Sequence, residues 1–346
     1  MDNIKESIRV LIVDDSHFRR EAFTTVLNLD PEIEVIDTAS NGKEALQKTK
    51  EFRPDVITMD IQMPIMNGFD AIDQIMKCCP CPIIVTSGID VAVVVKALSM
   101  GAMDFVAINQ DLDAVAHELI EKIKIAATVN AIRRIELKPQ KNKPKYQLTQ
   151  DLKIVVIGVS TGGPAALTQL FSHIPEDMHC GFLVIQHISK GFVQGLVEHL
   201  TNETGFDCNV AKPGDIIQKN KILFAPDGSH LKISYNNSIK LVTEPSSIYM
   251  PSIDITMESV AQAFHKNAIG IILTGMGSDG TQGITAIKNA GGITIAQSES
   301  SSVVYGMNKM AIQSGSIDHV AELNAIPTLL KELCRKPKTH AQTVKC

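Results

Sequence analysis

One pattern dominates the chain: a short, nearly continuous run of β-branched and other apolar residues followed by an amphipathic stretch. Between residues 8 and 134 the runs IRVLIVDD, EIEVIDTA, PDVITMD, PIIVTSG and MDFVAI alternate with helical stretches such as HFRREAFTTVLNL and DAVAHELIEKIKIAATVN. Strands that are apolar on both faces must be covered on both. Five such units therefore predict a parallel sheet between two helix layers, with ligand sites at the carboxyl ends of the strands. Residues 133–145, RRIELKPQKNKPK, hold six basic residues and two prolines, and the pattern stops there. That composition reads as a solvated linker rather than a nucleic-acid arm. The pattern resumes with KIVVIG at 153–158 and continues through GFLVIQH, KILFAP, AIGIILT and GGITIAQ to a last helix over roughly 323–334. The expected division is a first domain over 1–125, a helix end and basic linker over 126–150, a second domain over 151–334 and a flexible tail over 335–346.

Composition narrows what such domains can do. The chain has 346 residues, a net charge of −5, 4% aromatic residues and no Trp. At roughly 100 to 200 residues per domain, this length fits two or three domains. Few aromatics and mild acidity argue against stacked-base or phosphate-neutralising interfaces, so no nucleic-acid partner is expected. No apolar run approaches the roughly 20 residues that span a bilayer, and MDNIKESIR lacks an apolar signal core, so a cytoplasmic protein is expected. Seven cysteines without paired CxxC spacing read as reduced thiols. The CCPC cluster at Cys78, Cys79 and Cys81 reads as a structural turn, since it supplies at most three sulfurs to a metal.

The first sheet collects acids. Asp14 and Asp15 end the first strand and Asp60 ends the third, so a parallel sheet brings three carboxylates to one edge. Oxygen-only ligands suit Mg²⁺, which would offset their repulsion, and Asp60 is the natural phosphoryl acceptor. A single strand-end acid is often only a helix cap, but three together fit that role less well. The segments VDDS, MDIQMPIMNGFD, VTSG and GAMDFVA resemble a response-regulator receiver domain over about residues 7–125. The resemblance implies a flavodoxin-like fold, Mg²⁺ binding by Asp14, Asp15 and Asp60, phosphorylation at Asp60 and a switch hydroxyl at Thr86. It fails at one place. Receivers usually follow GAxDF with a Lys-Pro pair whose Lys contacts the phosphoryl group, but Ile108 and Asn109 stand here. An Ile side chain cannot pair with phosphate. The expectation is that Asp60 still accepts phosphate while the switch is weakened or rewired.

In the second domain, KIVVIGVSTGGPAALTQL is a strand, a small-residue turn and a helix, and GVSTG (158–162) fits the G-x-S-x-G nucleophile elbow with Ser160 at its tip. A base must share that sheet edge. His187 does so at the end of GFLVIQH, with His230 as a competitor, whereas His173, His179, His199, His265 and His319 fall in helical or loop stretches that favour surface positions. An orienting acid is available as Asp279 in GMGSDG. The order Ser160, His187, Asp279 differs from the Ser, acid, His order of α/β-hydrolases. A second reading takes GMGSDG as G-x-G-x-x-G with Glu299 about 20 residues on, a dinucleotide fingerprint, but it sets Asp279 against a pyrophosphate. A non-catalytic signalling adaptor is the third.

GVSTGGP, IQH, PSID, LTGMGSDGTQGI and AQSESSSVVYGM resemble, in order, the catalytic domain of the chemotaxis protein-glutamate methylesterase (CheB) family over roughly 152–333. The receiver ahead completes that family's layout. The resemblance implies a doubly wound, mostly parallel α/β catalytic domain with Ser160 as nucleophile, His187 as base and Asp279 as orienting acid. Backbone amides near Thr161 and Met276 are the oxyanion candidates. It further implies hydrolysis of glutamate methyl esters on methyl-accepting chemotaxis receptors, glutamine deamidation, a chemotaxis histidine kinase as phosphodonor, and no cofactor at the esterase site. Such an enzyme works beside membrane receptors without entering the bilayer, and its unphosphorylated receiver packs over the active site. The departures, Ser189, Ser302 and Asn308, remove no catalytic group.

Overall fold

A computed structural model describes residues 7–88, 91–108, 112–128, 152–175, 178–234, 236–243 and 249–335. Asn109, the basic segment 133–145 and the C-terminal tail lie outside the described residues. The first unit runs β1 (Ile8–Val13), α1 (His17–Leu27), β2 (Ile33–Ala39), α2 (Gly42–Phe52), β3 (Val56–Met59), α3 (Gly68–Cys78), β4 (Ile83–Ser87), α4 (Val91–Ser99), β5 (Asp104–Ala107) and α5 (Leu112–Ala126). Its strands pair in parallel in the order β2-β1-β3-β4-β5, the flavodoxin-like arrangement expected of the alternating pattern. Short polar residues start the helices: Ser16, Asn41 and Asn67 each cap a following helix by accepting a backbone N–H. Gly68 is required by space. A Cβ there would lie 2.3 Å from the Asp60 carbonyl oxygen, so only glycine lets α3 begin against the loop that carries Asp60.

The second unit contains β6 (Lys153–Val159), α6 (Gly163–His173), β7 (Cys180–Gln186), α7 (Val193–Thr204), β8 (Asp207–Val210), β9 (Lys221–Phe224), β10 (His230–Ile233) and β11 (Ile239–Val242). It continues with α8 (Ile253–Phe264), β12 (Ala268–Ile272), α9 (Thr281–Asn289), β13 (Ile293–Gln297), α10 (Met307–Gln313), β14 (His319–Ala321) and α11 (Ile326–Leu333). Seven strands form a parallel sheet in the order β14-β13-β12-β6-β7-β9-β8, and β10 and β11 form a separate antiparallel pair. The chain leaves β6 toward β7 on one side and later returns to β12 on the other. That reversal opens a crevice beyond the carboxyl ends of β6, β7 and β12, the place where open α/β sheets bind ligands. One histidine departs from the surface position expected of it, while a second keeps that position on a strand. His179 is buried just before β7, whereas His319 opens the edge strand β14 and is exposed.

The two units share apolar contacts. Phe192, at the start of α7, is buried among residues of α4 and β5, with its ring centroid 4.4 Å from that of Phe105. Val91 of α4 lies so close to Gly195 of α7 that a Cβ at that glycine would meet its Cγ1 at 2.0 Å. Ile108 packs against an apolar cluster that also holds Val115 of α5 and Val304 from the second unit. The residue that cannot meet a phosphate is therefore part of a hydrophobic patch between the units.

Candidate functional site

Ser160 follows β6 directly, and its turn is built from atoms that leave no room for larger side chains. Its N–H donates to the Thr274 carbonyl at 3.0 Å and its carbonyl accepts from Gly163 N–H at 2.9 Å. Gly162 has φ +78°, in the left-handed region, and a Cβ on it would meet Val303 at 2.7 Å. A Cβ on Gly275 would sit 2.6 Å from that of Ser160. Gln186 then ties the two strand ends together, its Nε2 donating to the carbonyls of both Ser160 and His187 at 2.8 Å. These contacts put Ser160 and His187 on the same cleft of about 320 Å³.

His187 Nε2 and Asp279 Oδ2 are 2.9 Å apart. Asp279 also accepts from Ser252 Oγ (3.0 Å), from Ile253 N–H (2.8 Å) and from Asp254 N–H (3.0 Å), so the amino end of α8 is aimed at its carboxylate. Burial pushes its pKa up, but the hydrogen bonds from His187 and from the amides of Asp254 and Ile253 prevail and hold it below the usual carboxylate range. An acceptor at Nε2 fixes the neutral imidazole with its proton on that nitrogen and its lone pair on Nδ1. Nδ1 is buried and makes no hydrogen bond. Ser160 and His187 thus line one cleft without being hydrogen-bonded, a looseness common before substrate arrives.

The other sequence-predicted groups fall into place around this pair. Thr161 lines the cleft beside Ser160, and Met276 is half exposed; the amide of neither makes a backbone hydrogen bond among the described residues. The competing base, His230, is fully buried away from the cleft, and its Nδ1 accepts the Ser252 N–H at 3.0 Å. Its task is to hold the turn that cradles Asp279. With its oxygens committed to four donors, Asp279 does not face a nucleotide site, and Glu299 is exposed on a short turn. Gln186 and Tyr249 were not singled out from sequence. Tyr249 stacks flat on the His187 ring, with centroids 4.5 Å apart and planes 6° apart. PSID, two residues after Tyr249, was the available signal, since it supplies three of the donors to Asp279.

The far wall of the cleft comes from the first unit. Leu98 of α4, Phe105 of β5 and Lys122 of α5 face Ser160, Thr161 and His187. Lys122 is itself held by Asp104 and Glu118, both at 3.0 Å.

At the other sheet edge, one ligand oxygen from each of Asp14, Asp15 and Asp60 lies within 4.8 Å of the others, an all-oxygen set that fits a hard cation. Asp14 Oδ1 accepts from Ser16 N–H at 2.8 Å, and Asp60 Oδ1 from the amides of Ile61 (2.7 Å) and Gln62 (3.3 Å). Arg19 bridges the remaining oxygens: Nε to Asp14 Oδ2 at 2.7 Å, and Nη2 to Asp60 Oδ2 at 2.8 Å and Asp15 Oδ1 at 3.3 Å. Burial and the neighbouring Asp14 charge raise the Asp60 pKa against the opposing pull of Arg19. Thr86 is buried near the end of β4. The Cys78 and Cys79 sulfurs are 3.1 Å apart, and the Cys81 thiol donates to the Pro54 carbonyl; no metal cluster includes them among the described residues.

Comparison with known proteins covers both units. Residues 155–330 match the family model described as CheB methylesterase, and residues 10–120 that of the response regulator receiver domain. A protein-glutamate methylesterase/protein-glutamine glutaminase of Pyrococcus abyssi is 38% identical over 337 residues, covering 92% of each chain. One from Koribacter versatilis is 40% identical, covering 93% of this chain and 95% of that one. The catalytic domain of Thermotoga maritima CheB methylesterase superposes with a TM-score of 0.51 at 33% identity, covering 53% of this chain and 98% of that one. No helix among the described residues is long and apolar enough to cross a membrane.

Proposed function

This chain belongs to the CheB methylesterase family, as a hydrolase of the protein-glutamate methylesterase/protein-glutamine glutaminase type with a receiver domain, and from that premise we propose that Ser160, His187 and Asp279 carry the reaction. Ser160 Oγ attacks the side-chain carbonyl carbon of a glutamate methyl ester while His187 Nδ1 takes its proton. The oxyanion rests on backbone N–H groups, with Thr161 and Met276 as the donors in reach of the turn. Collapse expels methanol, which takes the proton from His187. Water, deprotonated by the same nitrogen, then attacks the acyl-enzyme, and glutamate leaves as the proton returns to Ser160. With a glutamine side chain the leaving group is ammonia. Asp279 stays ionised throughout and holds the ring.

The observation that carries this reading is the His187–Asp279 bond, which leaves an unpartnered Nδ1 buried at the cleft that Ser160 lines. Ser160→Ala should abolish methanol release from methylated receptors, and retained turnover overturns the assignment.

The substrates are methyl-accepting chemotaxis receptors, reached from the cytoplasm without insertion in the bilayer. Control lies in the receiver domain, taken as residues 1–125 and joined to the catalytic domain (151–334) by the segment 126–150. Asp60 accepts a phosphoryl group from a chemotaxis histidine kinase, and Thr86 is its switch hydroxyl. Asp14, Asp15 and Asp60 would hold Mg²⁺, which offsets the negative charge of pocket and phosphoryl group. The receiver wall across the cleft supports an inhibited resting state that phosphorylation loosens. Acetyl phosphate with Mg²⁺ should stimulate methanol release by the wild type and leave Asp60→Asn unchanged; equal rates with and without phosphodonor in the wild type overturn the control half.

A further inference from the structure

We propose that Arg19 is the resident cation of the acidic pocket, and that a divalent ion enters only by displacing its guanidinium. The proposal rests on the reading of Asp14, Asp15 and Asp60 as the Mg²⁺ site. Its basis is the allocation of individual oxygens. One oxygen of Asp14 is taken by the Ser16 amide, and one of Asp60 by the amides of Ile61 and Gln62. The Asp14 and Asp60 oxygens that no amide holds are Oδ2 of each, and Arg19 sits on both, at 2.7 and 2.8 Å, while reaching Asp15 Oδ1 at 3.3 Å. A metal drawn to these two oxygens therefore competes with the guanidinium for the same atoms and for the same negative charge, and taking its place breaks two charge-assisted hydrogen bonds.

Three further observations place this role on Arg19 and on no neighbour. Its backbone is fixed, since its N–H is the donor to the Ser16 cap at the start of α1, so only the side chain needs to move. Arg20 points its guanidinium at the carbonyl oxygens of Asp14 and Asp15, at 2.7 and 3.1 Å, and leaves the carboxylates alone. Ile108, where a lysine would offer a charge from the β5 side, is packed into the apolar cluster with Val304. Among the described residues, Arg19 is the basic side chain that forms ion pairs with these three acids. Three carboxylates this close repel one another, and the guanidinium supplies the opposite charge that the pocket lacks elsewhere. The side chain is about one-third exposed, so it has a path outward when a metal takes its place.

The test is calorimetric titration of the full-length protein with MgCl₂, which reads binding without any enzymatic step. Arg19→Met should bind Mg²⁺ about tenfold more tightly than the wild type, the scale of removing one partly screened competing charge. Arg19→Gln, which keeps a polar side chain of similar reach, should shift in the same direction and guards against a folding defect peculiar to the first variant. Arg19→Lys should stay within about threefold of the wild type, because it keeps the charge. Mg²⁺ affinity in Arg19→Met and Arg19→Gln equal to or weaker than in the wild type overturns the proposal and leaves the metal site standing. No saturable binding in any of the chains overturns both.

Discussion

Asp60 and Asp279 stand at the carboxyl edges of two parallel sheets and are buried to nearly the same degree, with 6% and 8% of their surface exposed, yet their acidities move in opposite directions. Burial alone would raise both. The difference lies in what surrounds the carboxylate. Asp279 faces two amides and a hydroxyl from the start of α8 and an imidazole N–H, all donors fixed by the fold. Asp60 also accepts two backbone amides on one oxygen, but its other oxygen meets only a long, partly exposed arginine, beside the charge of Asp14. One acid is held ionised by parts that do not move; the other depends on a cation that can be exchanged. The first arrangement suits an orienting group that must never change state, and the second suits a group meant to change state.

The contrast can be broken by exchanging each acid for its amide. Asp279→Asn should have the largest effect, a fall in kcat of about 10⁴-fold in a methanol-release assay, because an amide can turn an N–H toward His187 and strand the proton on the wrong nitrogen. A loss below tenfold would mean that the stack on Tyr249, and not the carboxylate, fixes the ring. Next is Tyr249. Tyr249→Ala frees one face of His187 and should lower kcat about tenfold with little change in KM, whereas Tyr249→Phe keeps the stack and should stay near the wild type. A smaller effect is expected of Asp254, whose pKa is raised to about 6 by burial and by Asp279. A carboxyl whose folded pKa exceeds its unfolded value stabilises the protein at low pH, and that contribution is lost as pH rises through about 6. Asp254→Asn, which can still accept from Gly283 N–H, should therefore raise Tm relative to the wild type more at pH 8 than at pH 5. An equal shift at both values would mean that Asp254 does not carry the strain of the neighbouring charge.

The first sheet, the five inner strands of the second and the three side chains proposed for catalysis were legible in the sequence because each sits on a local signal, whereas the edge strands β8 and β14 and the β10–β11 pair are short and carry none. Apolar runs mark strands, and Ser160, His187 and Asp279 follow such runs at the edge where a parallel sheet places its sites. The acids of the first pocket were readable for the same reason. The groups that set their behaviour were not. Arg19 reads as an exposed position on an amphipathic helix, and only the fold shows its side chain reaching back across the ends of β1 and β3. Tyr249 is 62 residues from the ring it covers, and Gln186 looks like one more strand residue until Gly163 is seen against it. Ile108 was recognisable as a departure, but its reason, a cluster containing Val304, lies almost two hundred residues away. Contacts of this range leave no periodicity to read.

Phe192 belongs by chain to the catalytic half and by packing to the receiver half. It fills a socket formed by residues of α4 and β5. The two halves are therefore not interchangeable parts. A receiver borrowed from another protein would present a differently shaped socket to Phe192, and the mismatch would be felt however well its own phosphorylation chemistry worked. A substitution at Phe105 or Leu98 reshapes the socket and is therefore felt at Phe192, in the other half of the chain. Together with the close approach of Val91 to Gly195, that buried ring constrains which receiver can serve this enzyme.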